Sequence, residues 1–378
     1  MRLILTVNAG FNLVNFRAGL IAGLIADGHE LVALVPPSDH DDALRAMGMA
    51  VEPLAMDARG MNPLADLALI ARMRAAFRRL RPDAVLSWTI KTNLYGAMAA
   101  APLGLPVIPN VSGLGTAFLG AGATTRLVEM LYRRAFRRLG AVFFQNGEDR
   151  DLFVGRGLVR GDQARLLPGS GVDLARFAPA PLPGSEAGSE PEAGPAFLMV
   201  ARVLRDKGAA EFAEAARLTR ARHPGARFTL LGPMGAANRT AIPRATLDGW
   251  LAEGAMEWHD AVADVRPHLA RADVVVLPSY REGMPRTLLE AAAMGRPAIA
   301  TDVPGCRDAV AAGETGLLCA VRDAGDLARA MEEMIAMGPA ARAAMGAAAR
   351  RRAERLFDEA RVIDAYRAAL AALQTPSR

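Results

Sequence analysis

Short apolar runs alternate with longer amphipathic runs along the chain. In the first half this pattern predicts strands at Leu3–Val7, Glu30–Val35, Ala50–Pro53, Ala84–Trp88, Val107–Asn110 and Ala141–Gln145. Helical periodicity between them predicts helices at Phe16–Asp27, Leu64–Leu80 and Thr125–Leu139. Strands that are apolar throughout, alternating with helices, are typical of a parallel sheet covered on both faces.

The same alternation restarts in the second half. Strands are predicted at Phe197–Val200, Phe228–Leu231, Met256–His259, Val274–Leu277 and Ala298–Thr301, and helices at Ala209–Arg222, Pro285–Gly295 and Asp326–Met337. Residues 179–196 are rich in Pro, Gly, Ser, Glu and Ala without apolar periodicity, which is the composition of a linker. We therefore expect two doubly wound α/β domains, at residues 1–178 and 197–355, facing each other across a cleft. Residues 356–378 continue a helical pattern that starts near Glu354, and this helix is expected to cross back to the first domain.

Charge and composition narrow the classes of function. The 378 residues carry a net charge of +5, and residues 1–180 hold the whole excess, with 20 basic and 15 acidic side chains. This favours an anionic partner for the first half, while an aromatic content of only 5% argues against stacking on nucleic-acid bases. Two cysteines, Cys306 and Cys319, indicate a reducing compartment, and no apolar stretch is long enough for a membrane span. We expect a cytosolic protein that can rest on the inner face of a membrane.

Only two of the 45 basic residues are lysines, and both lie in loops that follow predicted strands. Lys207 lies in the segment Ala201–Gly208, where Arg202 and Lys207 flank a turn that opens a helix. Two cations beside the free N–H groups of a helix start form a site for a diphosphate without a metal ion. The alternative is a surface turn with a local Arg205–Asp206 pair.

A second group of polar residues follows the strand Val274–Leu277. Glu282 precedes a helix that Pro285 begins, and Glu290 lies eight residues further along. The helix start suits a phosphate or a sugar hydroxyl, and the two carboxylates suit hydroxyls at separate points of one extended ligand. The alternative is a capping Glu282 with a solvent-facing Glu290.

These two loops, together with Thr315–Leu318, resemble the nucleotide-sugar half of the family 4 retaining glycosyltransferases, which have the GT-B fold. The resemblance implies that Arg202 and Lys207 hold the donor diphosphate and that Glu290 accepts hydrogen bonds from the ribose. It also implies that Glu282 and the backbone of residues 283–286 meet the donor sugar, and that the strand ends Leu231–Met234 and Trp258–His259 border the base. The donor-binding residues expected on this basis are Arg202, Lys207, Glu282, Gly283, Met284, Pro285, Arg286, Glu290 and Gly10, of which Glu282, Lys207 and Arg202 are the expected catalytic residues.

The first half resembles the branch of this family that builds lipid-linked surface polysaccharides such as lipopolysaccharide and capsule. Its marks are Asn15–Arg17, Thr89–Gly96, Asn110–Gly115 and Phe143–Asn146, which all follow or end predicted strands. The expected acceptor-binding residues are Arg17, Lys91, Asn93, Ser112 and Gly113. Lys91 or Arg17 would pair with an acceptor phosphate; a surface cation beside apolar packing is the alternative for both.

One position departs from the family. Many members carry a histidine at the strand end that reads Ser87-Trp88-Thr89 here. The resemblance implies a front-face displacement in which the donor phosphate assists the acceptor hydroxyl, so the protein positions the substrates and stabilises the leaving diphosphate. No general base is assigned.

Two further patterns have simpler interpretations. The pairs Asp39/Asp41 and Asp149/Asp151 begin predicted helices, where aspartate is an ordinary capping or first-turn residue rather than a metal ligand. The helix Arg126–Arg138 combines Leu127, Leu131 and Phe136 with arginines that can rest on anionic lipid.

We therefore expect a metal-independent glycosyltransferase, without a cofactor, that moves a hexose or N-acetylhexosamine from a UDP-sugar to a polyprenyl-diphosphate-linked saccharide. The alternatives are a UDP-sugar 2-epimerase of the same architecture and a non-catalytic nucleotide-sugar-binding protein. A nicotinamide dehydrogenase is disfavoured because Asn8–Asn12, after the first strand, lacks a glycine-rich dinucleotide turn.

Overall fold

The computed structural model describes residues 1–57, 62–114, 123–183, 194–235 and 238–374. The chain forms two compact units. The first unit comprises Met1–Gly171 together with Glu359–Arg378, and the second comprises Val172–Asp358.

The first unit is built on a sheet of seven parallel strands. They are β1 (Arg2–Thr6), β2 (Glu30–Val35), β3 (Ala50–Pro53), β4 (Ala84–Trp88), β5 (Val107–Val111), β6 (Val142–Phe144) and β7 (Ala164–Leu166). Their order in the sheet is β3-β2-β1-β4-β5-β6-β7. The helices are α1 (Phe11–Phe16), α2 (Ala18–Ala26), α3 (Asp41–Ala46), α4 (Pro63–Leu80), α5 (Ile90–Ala100), α6 (Ala123–Phe136), α7 (Gly147–Gly155) and, after the second unit, α15 (Glu359–Gln374).

Helices pack on both faces of this sheet. One core contains α2 and α15 and includes the fully buried Tyr366. The other face is covered by α4, α5 and α6, with Phe77 and Phe136 among its buried side chains. The last helix of the chain therefore completes the first unit rather than the second.

The second unit has a sheet of six parallel strands. They are β8 (Ala196–Val200), β9 (Arg227–Leu231), β10 (Glu257–His259), β11 (Val274–Leu277), β12 (Ala298–Thr301) and β13 (Gly316–Cys319), in the order β10-β9-β8-β11-β12-β13. The helices are α8 (Ala209–Arg222), α9 (Arg244–Ala252), α10 (Arg266–Ala270), α11 (Arg286–Ala293), α12 (Cys306–Ala309), α13 (Ala324–Ala336) and α14 (Gly338–Leu356). Met331 and Met334 of α13 are fully buried in its core.

The unit boundaries differ from those that composition predicts. The second unit begins at Val172, not after residue 178, because Val172 and Phe177 pack into its apolar core. The linker predicted at 179–196 lies partly outside the described residues, at 184–193. The C-terminal pattern predicted as one helix is two helices, because α14 ends at Leu356 and α15 starts at Glu359.

The exposed face of α6 also differs from the prediction. Phe136 is buried and Leu131 is partly buried, so neither forms the outer apolar surface. The exposed apolar side chains of this helix are Leu127 and Met130, at 51% and 54% exposure.

Candidate functional site

The second sheet contains a point where strand order reverses. The chain builds outward from β8 to β10 and then returns to place β11 on the other side of β8. Loops that leave two such neighbouring strands diverge, and ligands of open parallel sheets bind in the resulting crevice at the carboxyl ends. The loops at this point are residues 201–208 after β8 and residues 278–285 after β11, which are the two segments singled out by the sequence.

Glycines allow these loops to pack backbone against backbone. Gly208 has a φ of 78°, and a Cβ there would lie 2.2 Å from the carbonyl oxygen of Pro278. Gly305, after β12, has a φ of 77°, and its Cβ would lie 2.4 Å from the carbonyl oxygen of Gly283. Only glycine fits these positions, so three strand-end loops are held together around Glu282.

Lys207 and Glu282 form an ion pair between the first two loops. The Nζ of Lys207 lies 2.5 Å from Oε1 of Glu282, and the side chains are 23% and 14% exposed. Residues 75 positions apart in the sequence thus meet at the strand-order reversal. Glu282 does not cap α11, in contrast to the capping alternative.

Glu290 is also paired rather than solvent-facing. Its Oε1 lies 2.6 Å from Nε of Arg286, one turn earlier on α11, and its side chain is 12% exposed. Burial raises the pKa of the Glu290 carboxyl, and the positive charges of Arg286 and Arg176 oppose that rise. Arg286 therefore favours the ionised, hydrogen-bond-accepting form of Glu290.

The remaining donor-side predictions differ in exposure. Arg202 is exposed, and none of the residues that the structure describes forms a hydrogen bond or ion pair with its guanidinium. Met284 is partly buried, and Gly283 and Pro285 are buried. Pro285 is the residue before α11 rather than its first residue. At the neighbouring strand ends, Nε1 of Trp258 donates to the carbonyl oxygen of Gly232 at 3.0 Å.

Two groups near this site were not predicted from the sequence. Cys306 lies at the start of α12; burial raises the pKa of its thiol, and the charge of Glu282 raises it further. Tyr280 donates to Oε1 of Glu211 at 2.6 Å and lies under the guanidinium of Arg322. The Arg205–Asp206 alternative does not hold, because Asp206 accepts from the Thr240 hydroxyl at 2.8 Å.

The first sheet has its own strand-order reversal, between β1 and β4. Gly10 lies in the turn after β1, where it is buried and precedes α1. Lys91 lies in the first turn of α5, after β4, with its Nζ 2.8 Å from Oδ1 of Asp66. Both side chains of this pair are 15% exposed, and Tyr95 donates to the other carboxylate oxygen. Lys91 is therefore neither an isolated surface cation nor an unpaired one.

Asn93 and Arg17, two of the residues predicted to bind the acceptor, have buried side chains. Asn93 is 1% exposed; its amide accepts from Ser87 at 2.8 Å and donates to the carbonyl oxygen of Asn110 at 2.9 Å. Arg17 is 7% exposed, with its guanidinium 5.2 Å from the ring centre of Trp88. Hydrogen bonds hold the Asn93 side chain between β4 and β5, and Arg17 lies against Trp88 at the end of β4.

Thr89 adopts a backbone conformation that sequence patterns do not reveal. Its φ of 74° and ψ of 152° are unusual for a β-branched residue, and it directly follows the end of β4. The nearby Ser112 and Gly113 are partly exposed, whereas Gly115 lies outside the described residues.

Two of the four aspartates set aside as helix-capping or first-turn residues lie in a first turn. Asp41 lies in the first turn of α3 and Asp149 in that of α7. Within the described ranges, no three His, Cys, Asp or Glu side chains are grouped so that they could hold a metal ion.

Two parallel-sheet Rossmann-like units, with this site at the strand-order reversal of the second, define the GT-B class of glycosyltransferase. The sequence agrees with this class. Residues 15–170 match the glycosyl transferase 4-like domain, and residues 194–337 match the domain of the glycosyl transferases group 1. The chain belongs to this glycosyltransferase family.

Relatives and solved structures give the same fold and class. The chain is 27% identical over 337 residues to the N,N'-diacetylbacillosaminyl-diphospho-undecaprenol alpha-1,3-N-acetylgalactosaminyltransferase of Campylobacter jejuni, covering 86% of this chain and 87% of the relative. It is 26% identical over 285 residues to the UDP-Gal:alpha-D-GlcNAc-diphosphoundecaprenol alpha-1,3-galactosyltransferase of Escherichia coli, covering 71% and 70%. The Anabaena protein HepE, solved in complex with UDP, has the same fold with a TM-score of 0.78 and 17% identity, covering 98% of this chain and all of HepE.

Proposed function

We propose that this glycosyltransferase moves a hexose or an N-acetylhexosamine from a UDP-sugar to a saccharide linked to a polyprenyl diphosphate. The observation that carries the donor half is the Lys207–Glu282 pair at the strand-order reversal of the second unit, with the exposed Arg202 in the same loop as Lys207. The acceptor half rests on the undecaprenyl-diphosphate saccharides named for the Campylobacter jejuni and Escherichia coli relatives.

In this proposal each donor contact has a physical role. Arg202 and Lys207 bind the diphosphate and stabilise the negative charge that develops on it as the sugar leaves. Glu282 and the backbone of residues 283–286 contact the sugar, with the helix start of α11 adding a positive dipole. Glu290, which is paired with Arg286, accepts from the ribose. Gly10, which precedes α1, is also proposed to contact the donor.

The acceptor contacts proposed on the first unit are Lys91, Ser112 and Gly113. Lys91 reaches an acceptor phosphate either by sharing its three N–H donors with Asp66 or by leaving that carboxylate. In this proposal the buried side chains of Asn93 and Arg17 hold the ends of β4 and β5 in place and do not themselves contact the acceptor. We further propose that transfer retains the anomeric configuration and needs neither a divalent metal ion nor a cofactor, because two cationic side chains supply the charge that the leaving diphosphate requires.

The test combines ligand binding with turnover. In a thermal-shift panel of nucleotides and nucleotide sugars, uridine diphosphate ligands should raise the melting temperature most, because a ligand that binds only the folded state stabilises it. The matching UDP-hexose or UDP-N-acetylhexosamine should then label a synthetic polyprenyl-diphosphate saccharide, equally in EDTA and in Mg²⁺. If only another nucleotide stabilises the protein, the donor is a different nucleotide sugar. If the sugar turns over without any acceptor, the epimerase alternative is favoured, although the comparisons do not support it.

Membrane contact on the cytosolic side is part of the proposal. The helices α4 and α6 of the first unit expose large apolar side chains: Leu64, Leu67, Leu127 and Met130. Leu127 and Met130 lie on α6, which also exposes three cations: Arg126, Arg133 and Arg134. Apolar and cationic side chains together suit the surface of an anionic bilayer. No helix of the described ranges is long and apolar enough to cross a membrane.

We predict that the double variant Leu127→Ser/Met130→Ser binds anionic vesicles at least about fivefold more weakly than the unmodified chain. The variant loses apolar area that membrane binding would bury, and its charge is unchanged. The measurement is cosedimentation with phosphatidylglycerol-containing vesicles. Val321→Ser, at a comparably exposed apolar residue of the second unit, is the matched control and should bind as before. Equal binding by all three proteins would contradict this surface.

A further inference from the structure

We propose that Glu282 competes with the donor diphosphate for Lys207 and thereby weakens the binding of bare UDP relative to the UDP-sugar. This specificity role rests on the proposed function, and it adds a second task to a carboxylate assigned so far to the sugar alone. It predicts that removing a charged residue from the site strengthens the binding of a ligand.

Before a ligand binds, Lys207 already has a carboxylate partner. Lys207 is paired with Glu282 at 2.5 Å, and the two side chains are mostly buried, at 23% and 14% exposure. Water screens such a pair less than a surface pair, so its charges act strongly on whatever enters. A diphosphate that approaches Lys207 must share or displace this carboxylate.

The backbone on both sides of Glu282 is held in place. The Gly283 carbonyl packs against Gly305, and the Tyr280 amide donates to the Asp206 carbonyl at 2.9 Å. Burial and the charge of Glu282 raise the pKa of the neighbouring Cys306 thiol, and a neutral thiol gives Glu282 no cationic partner in place of Lys207. The carboxylate therefore stays beside Lys207 and competes with the diphosphate for that cation.

UDP and a UDP-sugar differ in the groups that they bring to Glu282. Bare UDP brings negative charge and no hydroxyl groups beyond its ribose, so Glu282 gains nothing when UDP takes Lys207. A UDP-sugar brings sugar hydroxyls that donate to the freed carboxylate, and a hydrogen bond to a charged acceptor is among the stronger ones. Glu282 thus weakens the binding of the product UDP but not that of the donor, and weaker UDP binding favours product release.

The experiment compares UDP binding by isothermal titration for the unmodified chain, Glu282→Gln, Lys207→Met and the double variant. We expect Glu282→Gln to bind UDP about five- to tenfold more tightly while its preference for the UDP-sugar over UDP falls. In the Lys207→Met background the same Glu282→Gln change should have little effect, because the contested cation is gone. Glu257→Gln, which removes an 80% exposed carboxylate of the same unit, controls for net charge and should leave UDP affinity unchanged.

The outcomes separate this inference from the proposed function. If the unmodified chain binds no UDP, the proposed donor is wrong. If it binds UDP but Glu282→Gln binds no more tightly, or tightens equally without Lys207, the competition is wrong and the proposed donor stands. Glu282→Ser is the second neutral variant, to be measured if Glu282→Gln does not fold with an unchanged circular dichroism spectrum.

Discussion

Lys207→Met should lower turnover with the UDP-sugar by about 100-fold or more and weaken UDP binding at the same time. In our account one ammonium group serves the bound diphosphate and the leaving diphosphate, and removing one such donor from a catalytic site costs about two to three orders of magnitude in rate. Methionine keeps most of the length of the side chain and removes its charge. Initial rates and UDP titrations on the same preparations measure both effects.

The matched control for this variant is Arg205→Met. Arg205 lies in the same loop, is exposed and also carries a positive charge, but it does not contact Glu282. We expect its turnover and UDP affinity to stay within about twofold of the unmodified chain, as is usual for a surface substitution. Normal turnover by Lys207→Met would remove this residue from the proposed catalytic group.

Glu290→Gln should weaken UDP binding by about tenfold or more, because a buried carboxylate that accepts from a ribose hydroxyl contributes about 1.5–3 kcal/mol. The ligand 2′-deoxy-UDP provides the complementary change. The unmodified chain should prefer UDP to 2′-deoxy-UDP, and Glu290→Gln should lose most of that preference. Glu214→Gln, at a carboxylate paired with Arg217 on the outer side of α8, is the control.

If Glu290→Gln keeps both its UDP affinity and its preference for the ribose hydroxyl, the assignment of Glu290 to the ribose is contradicted. A loss of affinity with an unchanged preference would place Glu290 on another part of the donor. The two ligands thus locate the contact, whereas a single affinity would only show that the residue matters.

The sequence predicted the fold because strands buried on both faces are continuous apolar runs. The strands β2, β4, β11 and β12 have the bounds that these runs predict. Short elements were missed where the pattern is weak: β7 has only three residues, of which Arg165 and Leu166 are exposed. The break between α14 and α15 was missed because the helical periodicity continues on both sides of it.

The donor loops were predictable because the chemistry and the fold place them together. A residue that follows a parallel strand lies at the carboxyl edge of the sheet, so Lys207 after β8 and Glu282 after β11 had to be near each other once the strand order was known. The pairing itself was not predictable. The i, i+4 spacing of Arg286 and Glu290 is typical of a helical ion pair, whereas nothing in the spacing of Lys91 and Asp66 shows that these side chains meet.

The acceptor residues were harder to predict because burial cannot be read from a motif. Asn93 and Arg17 belong to motifs of polar residues at strand ends, yet both are almost fully buried. The conformation of Thr89 has no sequence signal at all, since a positive φ is expected at glycine or asparagine rather than threonine. A strand-end motif therefore indicates where a site lies. The structure is needed to distinguish residues that can contact a ligand from buried residues that support the strand ends.

The most direct test of the central claim is a crystal structure of the protein with UDP, grown in the presence of EDTA. Our account predicts that diphosphate oxygens lie within hydrogen-bonding distance of Nζ of Lys207 and of the Arg202 guanidinium, with the ribose at Glu290. A diphosphate bound away from both cations, or UDP binding that disappears with EDTA, would contradict it.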